Sequence, residues 1–88
     1  MTHDEIRRAF LEELTHVAPD LDAATIGGGD HLQDDLELDS MDILNLVIAL
    51  NARFGVAIPE ADYRRIATPD LAVAYLAEKT AKPAGTGG

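Results

Sequence analysis

Ser40 is the residue with the clearest potential for chemistry, because it stands between acidic residues at the predicted start of a helix. A serine in that position is exposed and faces backbone N–H groups that have no partner within the helix. A phosphodiester on its hydroxyl would therefore lie against the positive end of the helix dipole. The hydroxyl itself is a weak nucleophile without an adjacent base, and nothing local supplies one. From this local pattern alone a plain N-cap is the favoured interpretation, and a serine that another enzyme modifies is the alternative.

Catalysis by the chain itself would need Ser40 to act with an acid and one of the three histidines, His3, His16 and His31. No nucleophile-elbow motif surrounds Ser40, so we expect that the protein is not an enzyme. A calcium site would use the carboxylates from Asp30 to Asp39, but the EF-hand spacing and its glycine at the sixth loop position are absent. We expect no dedicated metal site, with weak divalent binding by this acidic loop as the alternative.

The elements that position Ser40 follow from the apolar spacing and the helix breakers. Apolar residues recur at helical spacing between Ile6 and Val17, which predicts a first helix from about Thr2 to His16. The segment from Ser40 to about Arg53 has no glycine or proline and is followed by Gly55, so it predicts a second helix.

The connection between these two helices, residues 18–39, is unusually long for a small domain. It contains turn and breaker residues, among them Pro19 and the run Gly27-Gly28-Gly29. Long connections of this kind are usually functional or disordered. Five interspersed apolar residues favour a loop pinned onto the core, with short helical turns inside it. They are Leu21, Ile26, Leu32, Leu36 and Leu38.

The last third of the chain completes the predicted architecture. A short helix is predicted over Glu60 to Arg65. The triplet Thr68-Pro69-Asp70 is typical of a cap, a first-turn proline and a first-turn acid, and it predicts a last long helix. No strand pattern competes, so the fold class is all-α: a small bundle of three longer helices and one short helix. The predicted domain is 1–81, and 82–88 is the predicted flexible tail.

The second helix carries two apolar stripes when its residues are placed 100° apart. The first, expected in the core, consists of Ile43, Leu46, Val47, Leu50 and Phe54. The second stripe consists of Met41, Leu44, Ile48 and Ala52. A surface helix needs only one apolar face, so we expect the second stripe to be exposed for a partner or an apolar cargo. The alternative is that a loop or another helix covers it.

The stretch from Asp34 to Asp42 resembles the Asp-Ser-Leu or Asp-Ser-Met motif of acyl carrier proteins. Other short motifs keep that family's spacing around it: Asp35-Leu36 before the serine, and Phe54-Gly55, Ile58-Pro59 and Ile66-Ala67-Thr68 after it. The resemblance covers about residues 3 to 80. It implies an acyl-carrier-type bundle that holds acyl groups as thioesters on a 4′-phosphopantetheine arm attached to Ser40.

The resemblance also implies partners and site residues. A phosphopantetheinyl transferase would attach the arm with Mg²⁺ and coenzyme A, and acyl-activating, acyltransferase or synthase enzymes would dock through basic patches. Transferase recognition is expected at the motif residues Asp35, Leu36, Asp39, Met41 and Asp42. Contact with partners or with the acyl group is expected at Leu44, Ile48, Ala52, Ile58 and Ile66. The cargo is open: a fatty acyl, a polyketide or an aminoacyl group would use the same arm. An unmodified helical interaction module is the alternative of another class.

Several positions depart from the family's pattern. Glycine usually stands where Glu37 is, so charge is added and backbone freedom is lost just before Ser40. In fatty-acid carriers the exposed side of the second helix is strongly acidic, whereas Asn45, Ala52 and Arg53 stand at such positions here. The pair Arg64-Arg65 makes the next segment basic. These departures favour a specialised, stand-alone carrier over the housekeeping carrier of fatty acid synthesis.

The composition indicates the class of partner. The chain has 16 acidic and 7 basic residues, a formal charge of −9, and no cysteine. Such a surface repels nucleic acids and anionic lipids and is expected to attract proteins with basic surfaces; acidity that only confers solubility is the alternative. No apolar run approaches the ~18 residues of a membrane span, and the first residues lack the apolar stretch of a signal peptide. We therefore expect a monomeric cytoplasmic protein that neither binds nucleic acid nor spans a membrane.

Overall fold

Three α-helices and two 3₁₀ segments account for the regular structure of residues 2–80, the part of the chain that the computed structural model describes. Helix α1 spans His3–Val17, α2 spans Ser40–Phe54 and α3 spans Pro69–Thr80. The 3₁₀ segments are Ala23–Thr25, within the long loop, and Glu60–Ile66, between α2 and α3. The all-α fold class is confirmed. The expected tail, 82–88, lies outside the described residues.

Each long helix begins at a capping residue. Thr2 precedes α1, where its hydroxyl accepts the Glu5 N–H at 3.1 Å while the Glu5 carboxylate accepts the Thr2 N–H at 2.8 Å. Thr68 precedes α3 and accepts the Leu71 N–H at 3.2 Å. Helix α2 ends at Gly55, whose φ of 69° is the left-handed conformation that glycine adopts without strain.

The core lies where α1 packs against both α2 and α3. The side chains of Phe10, Leu46, Leu50 and Leu76 are fully buried there. Tyr75 of α3 is also buried, and its hydroxyl donates a 2.7 Å hydrogen bond to the Asp62 carboxylate of the second 3₁₀ segment. Burial, and then the nearby Asp62 carboxylate, raise the pKa of Tyr75 to about 12. The tyrosine therefore stays a neutral donor that fixes the second 3₁₀ segment to α3.

The long loop is pinned onto the bundle, as its apolar residues predict. Leu32 and Leu38 are buried in the core, and Leu21, Ile26 and Leu36 pack against it half-buried. Backbone hydrogen bonds reinforce the attachment, because the Leu32 N–H donates to Ala67 O at 2.9 Å. The Asp70 N–H donates to Gly28 O at 3.0 Å. The loop that leads to Ser40 is thus held by the segment that opens α3.

Gly28 has a role that its place in a glycine run does not reveal. A Cβ atom at this position would collide with the Asp70 carboxylate, which itself forms an ion pair with Arg7 of α1. The absence of a side chain at Gly28 therefore lets the loop approach the start of α3 closely.

Candidate functional site

Ser40 is exposed and occupies the first position of α2, and the helix cap is its neighbour Asp39. The Asp39 Oδ1 atom accepts the Asp42 N–H at 2.8 Å, and the Asp42 Oδ2 atom accepts the Asp39 N–H at 3.3 Å. The interpretation of Ser40 as a plain N-cap is therefore wrong, because a carboxylate one residue earlier makes the capping bonds. No hydrogen bond among residues 2–80 involves the Ser40 hydroxyl, which is left free to be modified.

The start of α2 offers an environment suited to an attached phosphate. Only the third backbone N–H of the helix is taken by the Asp39 carboxylate, and the next donates to Asp39 O. The N–H groups of Ser40 and Met41 have no acceptor within the described structure. They point toward the region in front of the helix, where the helix dipole also favours negative charge. The residues present therefore fit a phosphodiester on Ser40.

Acidic side chains surround the start of α2 and give its surface a negative charge. Asp35, Glu37 and Asp39 are exposed and Asp42 is half-buried. Asp35 also fixes the loop, because its Oδ2 atom accepts the His31 N–H at 2.7 Å. The carboxylates make the approach to Ser40 negative, which favours encounter with a basic protein surface.

Glu37 has a strained backbone three residues before Ser40. Its φ of 60° is the only positive value among the non-glycine residues of the described chain. A left-handed conformation costs an ordinary residue about 1 kcal/mol, and glycine adopts it freely. This geometry explains in physical terms why glycine suits the position and why the glutamate is a departure.

We expect Glu37→Gly to leave the free energy of unfolding equal to that of the wild type or to raise it by up to ~1 kcal/mol, because relief of strain outweighs the added freedom of the unfolded chain. Urea titration measures the change. Gln33→Gly is the matched control: Gln33 is an exposed loop residue without positive φ, so glycine there should lower stability. A larger loss at Glu37 than at Gln33 would contradict strain at Glu37.

The second stripe is exposed along α2. Met41 is 62% exposed, Leu44 42% and Ile48 58%, and Ala52 is exposed as well. The alternative that a loop or another helix covers the stripe is therefore wrong for residues 2–80. The first stripe behaves as expected, with four of its residues buried and Phe54 half-buried.

Two of the expected contact residues lie in the interior instead of on the surface. Ile58 is 7% exposed and Ile66 is 1% exposed, so both belong to the core. Ile58 also lines a small groove of about 250 Å³ beside Val47 and Ile48. Only a cargo that enters between the helices can touch Ile66. Leu36, expected in transferase recognition, is half-buried against the core beneath the exposed acids.

A larger groove of about 510 Å³ opens directly beside Ser40. Its apolar lining comes from the loop, α2 and the residue after the second 3₁₀ segment, at Leu32, Ile43, Leu44 and Ala67. Its polar lining consists of His31, Gln33, Glu60, Tyr63 and Arg64, in addition to Ser40. Sequence reasoning placed none of these five polar residues in a groove with Ser40: it weighed His31 only as a catalytic partner, and nothing in the spacing brings the second 3₁₀ segment next to Ser40.

A comparison with known protein families decides what this arrangement is. Residues 4–76 match the family described as phosphopantetheine attachment site. The chain belongs to this family. It is also similar to the acyl carrier protein of Streptomyces coelicolor, with 39% identity over 96% of this chain and 94% of the relative. The acyl carrier protein of Rubrobacter xylanophilus is 31% identical over 82% of this chain and 93% of the relative, and that of Picosynechococcus sp. is 32% identical over 88% and 89%.

The chain is therefore an acyl carrier with a 4′-phosphopantetheine prosthetic group, and it is a carrier, not an enzyme. The prosthetic group supplies the thiol that holds an acyl group as a thioester; the protein supplies its attachment point and surroundings. Membership also implies encounters with a phosphopantetheinyl transferase and with enzymes that handle acyl groups. Within residues 2–80, no helix is both long and apolar enough to cross a membrane.

The histidines of this acyl carrier form no catalytic arrangement with Ser40 in the described chain. His31 shares the groove with Ser40, but its Nδ1 atom accepts the Asp34 N–H at 3.2 Å. His16 is exposed beside Glu13, and His3 is exposed at the first position of α1. Nor do three acidic or histidine side chains converge as metal ligands anywhere from residue 2 to residue 80.

Two arginines that the sequence presents as positive surface charges form ion pairs with carboxylates of the same chain. Arg53 is paired with two carboxylates of α1, 2.9 Å from Glu13 and 3.5 Å from Glu12. Arg65 lies 2.8 Å from the Glu78 carboxylate and stacks over the Tyr75 ring. The expectation that Arg53 opposes the acidic field of α2 is corrected, because its charge is neutralised locally. Arg64 forms none of the ion pairs within residues 2–80.

Proposed function

We propose that the Ser40 hydroxyl is the attachment point of the 4′-phosphopantetheine arm and that the acidic start of α2 is where the transferase docks. The observation that carries the proposal is that the adjacent residues Asp39 and Ser40 have different roles. Asp39 caps the helix, which leaves the exposed Ser40 hydroxyl without a hydrogen-bond partner in the described chain. Ser40 also lies within the segment that matches the phosphopantetheine attachment family.

The attachment itself is a phosphoryl-group substitution on coenzyme A. A bond forms between Ser40 Oγ and the phosphorus that carries pantetheine, and the anhydride P–O bond of coenzyme A breaks. The adenosine bisphosphate portion leaves, and the serine proton passes to a base of the transferase. The carrier contributes the nucleophile and its position, whereas the transferase and its Mg²⁺ supply activation. Asp35, Asp39, Met41 and Asp42 surround the serine and form the surface we assign to this encounter.

The decisive measurement is the intact mass of the protein after incubation with coenzyme A, Mg²⁺ and a broad-specificity phosphopantetheinyl transferase. We expect a gain of one phosphopantetheine group, with the modified peptide containing Ser40. An unchanged mass with several transferases would contradict the proposal and would favour an unmodified helical module that docks through the second stripe.

We further propose that the loaded carrier acts as a monomer in the cytoplasm and presents its cargo through the second stripe. The stripe starts at Met41, next to Ser40, and continues to Ala52, so an enzyme that reaches the arm would also contact it. Basic patches on such an enzyme would complement the carboxylates at the helix start. Ile58 and Ile66 are assigned to the cargo instead of to the docked enzyme, because both are buried.

The later part of α2 supports a specialised carrier over a general fatty-acid carrier. Asn45 lies beside the exposed stripe and Ala52 is its last member, so neither adds negative charge, and Arg53 is bound to α1. An enzyme whose basic patch extends along the whole helix therefore finds acids only at its beginning. Where the helix lacks acids it does not attract such a basic patch, and where it carries positive charge it repels the patch, so association with this partner is weaker. Contact of the partner with the apolar stripe changes less.

Adding acids at these positions should improve recognition by fatty-acid synthesis enzymes. We expect Asn45→Glu with Ala52→Glu to raise kcat/KM for acyl transfer severalfold at low salt, with the gain fading as the Debye length falls to about 8 Å at physiological ionic strength. Ala24→Glu with Ala74→Glu adds the same charge at exposed sites outside α2 and is the matched control. Equal effects of both double variants, or none, would contradict charge along α2 as the discriminator.

A further inference from the structure

The groove beside Ser40 is the feature that reaches beyond a general carrier role. Its volume of about 510 Å³ lies within the range of small-molecule sites. Ser40 itself belongs to the lining, so an arm attached there begins at the mouth of the groove. The occupant that the geometry favours is therefore the arm's own cargo.

The polar lining consists mainly of hydrogen-bond donors that the fold leaves unused. Neither the Tyr63 hydroxyl nor the Arg64 guanidinium takes part in a hydrogen bond or ion pair within residues 2–80. The Nδ1 atom of His31 accepts the Asp34 N–H at 3.2 Å, so the neutral ring carries its hydrogen on Nε2. Three donors thus line one groove.

Tyr63 and His31 are half-buried, so a saturated alkyl chain laid over them would displace their water and leave these two donors without acceptors, whereas the exposed Arg64 keeps its water. Burying a donor without a partner is costly, whereas each new hydrogen bond gives a modest net gain. An acyl group that carries an oxygen close to the thioester would supply the missing acceptor. Glu60 and Arg64 line the same groove with opposite charges, so the groove gives a carboxylate no net attraction, and a neutral oxygen is sufficient as the acceptor.

We infer that the groove formed by His31, Tyr63 and Arg64 beside Ser40 receives acyl groups with a neutral oxygen on the chain, a 3-oxoacyl or 3-hydroxyacyl thioester, in preference to saturated acyl groups. This inference rests on the proposed attachment at Ser40. The apolar residues Leu32, Ile43 and Leu44 line the same groove and would contact the carbon chain of such a cargo. Tyr63 and Arg64 would bind its oxygen.

The test compares two cargoes of equal length on protein whose loading at Ser40 has first been verified by intact mass. The carrier is loaded with hexanoyl or with 3-oxohexanoyl phosphopantetheine, and thioester exchange with excess 2-mercaptoethanol, which releases the acyl group from the arm, is followed by mass spectrometry. For each cargo, the rate measured for Tyr63→Phe or Arg64→Gln is divided by the wild-type rate. This ratio cancels differences in intrinsic reactivity between the two thioesters. Arg8→Gln, an exposed arginine of α1 outside the groove, is the control for lost charge.

We expect both groove variants to release 3-oxohexanoyl about 2- to 10-fold faster than the wild type, the change in occupancy that one lost hydrogen bond produces. Hexanoyl should be released at nearly the same rate from wild type and variants, and Arg8→Gln should change neither cargo. Equal ratios for the two cargoes would overturn the inference while leaving attachment at Ser40 intact.

An NMR comparison on the wild type keeps the inference testable if a variant fails to fold. Chemical shifts of Tyr63 and Arg64 should change when 3-oxohexanoyl is loaded and change much less with hexanoyl. If both residues already respond to the empty arm, and cargo adds nothing, the groove binds the arm itself and the inference is wrong.

Discussion

Replacing Ser40 with alanine is expected to abolish the mass gain completely and to leave the fold intact. The hydroxyl makes no hydrogen bond within the described chain and the side chain is exposed, so we expect the free energy of unfolding to change by less than about 0.5 kcal/mol. Alanine is also the best helix former, which suits the first turn of α2. Intact mass after treatment with a transferase gives the loading, and urea titration gives the stability.

Asp39→Ala supplies the comparison that separates the two roles at this helix start. It keeps the serine and removes the cap, so it should lower stability by about 1 kcal/mol, within the range of about 0.5–2 kcal/mol for lost capping residues. Loading of the Ser40→Ala protein at any other residue would contradict a single attachment point. A stability loss at Ser40→Ala as large as that at Asp39→Ala would contradict the assignment of the cap.

The two apolar stripes of α2 should respond very differently to truncation. Leu46 is fully buried, so Leu46→Ala is expected to cost about 2–5 kcal/mol. Ile48 is 58% exposed, and Ile48→Ala should cost well below that range while it weakens transfer to partner enzymes. Urea titration measures the first effect, and kcat/KM with an acyl-transferring enzyme measures the second.

A second pair of variants with smaller expected effects on stability is also needed, because a loss of several kcal/mol can unfold a domain of this size. Ile43 and Ile48 are both isoleucines of α2; Ile43 belongs to the first stripe and Ile48 to the second. Ile43→Val should lower stability by about 1 kcal/mol, and Ile48→Val should leave it almost unchanged. Similar losses at both positions would mean that the second stripe is ordinary core.

Local patterns predicted the helices well because local physics determines them. The apolar spacing from Ile6 to Val17 corresponds to the buried face of α1, and Gly55 ends α2 as its place in the sequence indicates. The second stripe could also be predicted from the sequence, because finding it requires only a comparison of the residues on two faces of one helix. The loop was harder, yet Leu32 and Leu38 identified where it is attached.

Features that depend on distant residues could not be predicted in the same way. Asp39 and Ser40 are both good caps and adjacent, so only geometry distinguishes them; the signal available was Asp42, three residues after Asp39. The neutralisation of Arg53 needs acids of α1 some 40 residues earlier. Tyr63 and Arg64 join the groove of Ser40 only because the second 3₁₀ segment, which packs against α3, lines the same groove as α2. The burial of Ile58 and Ile66 has the same origin.

The hydrogen bonds from Leu32 to Ala67 and from Asp70 to Gly28 have a consequence for the timing of biosynthesis. They tie the loop before Ser40 to residues that leave the ribosome well after it. Translation adds roughly 5–20 residues per second, so α3 follows Ser40 by about 2–7 s. During that interval the loop lacks its anchor, and the groove lacks the wall formed by the second 3₁₀ segment. A transferase that reads the assembled surface therefore meets its substrate only after α3 has been synthesised.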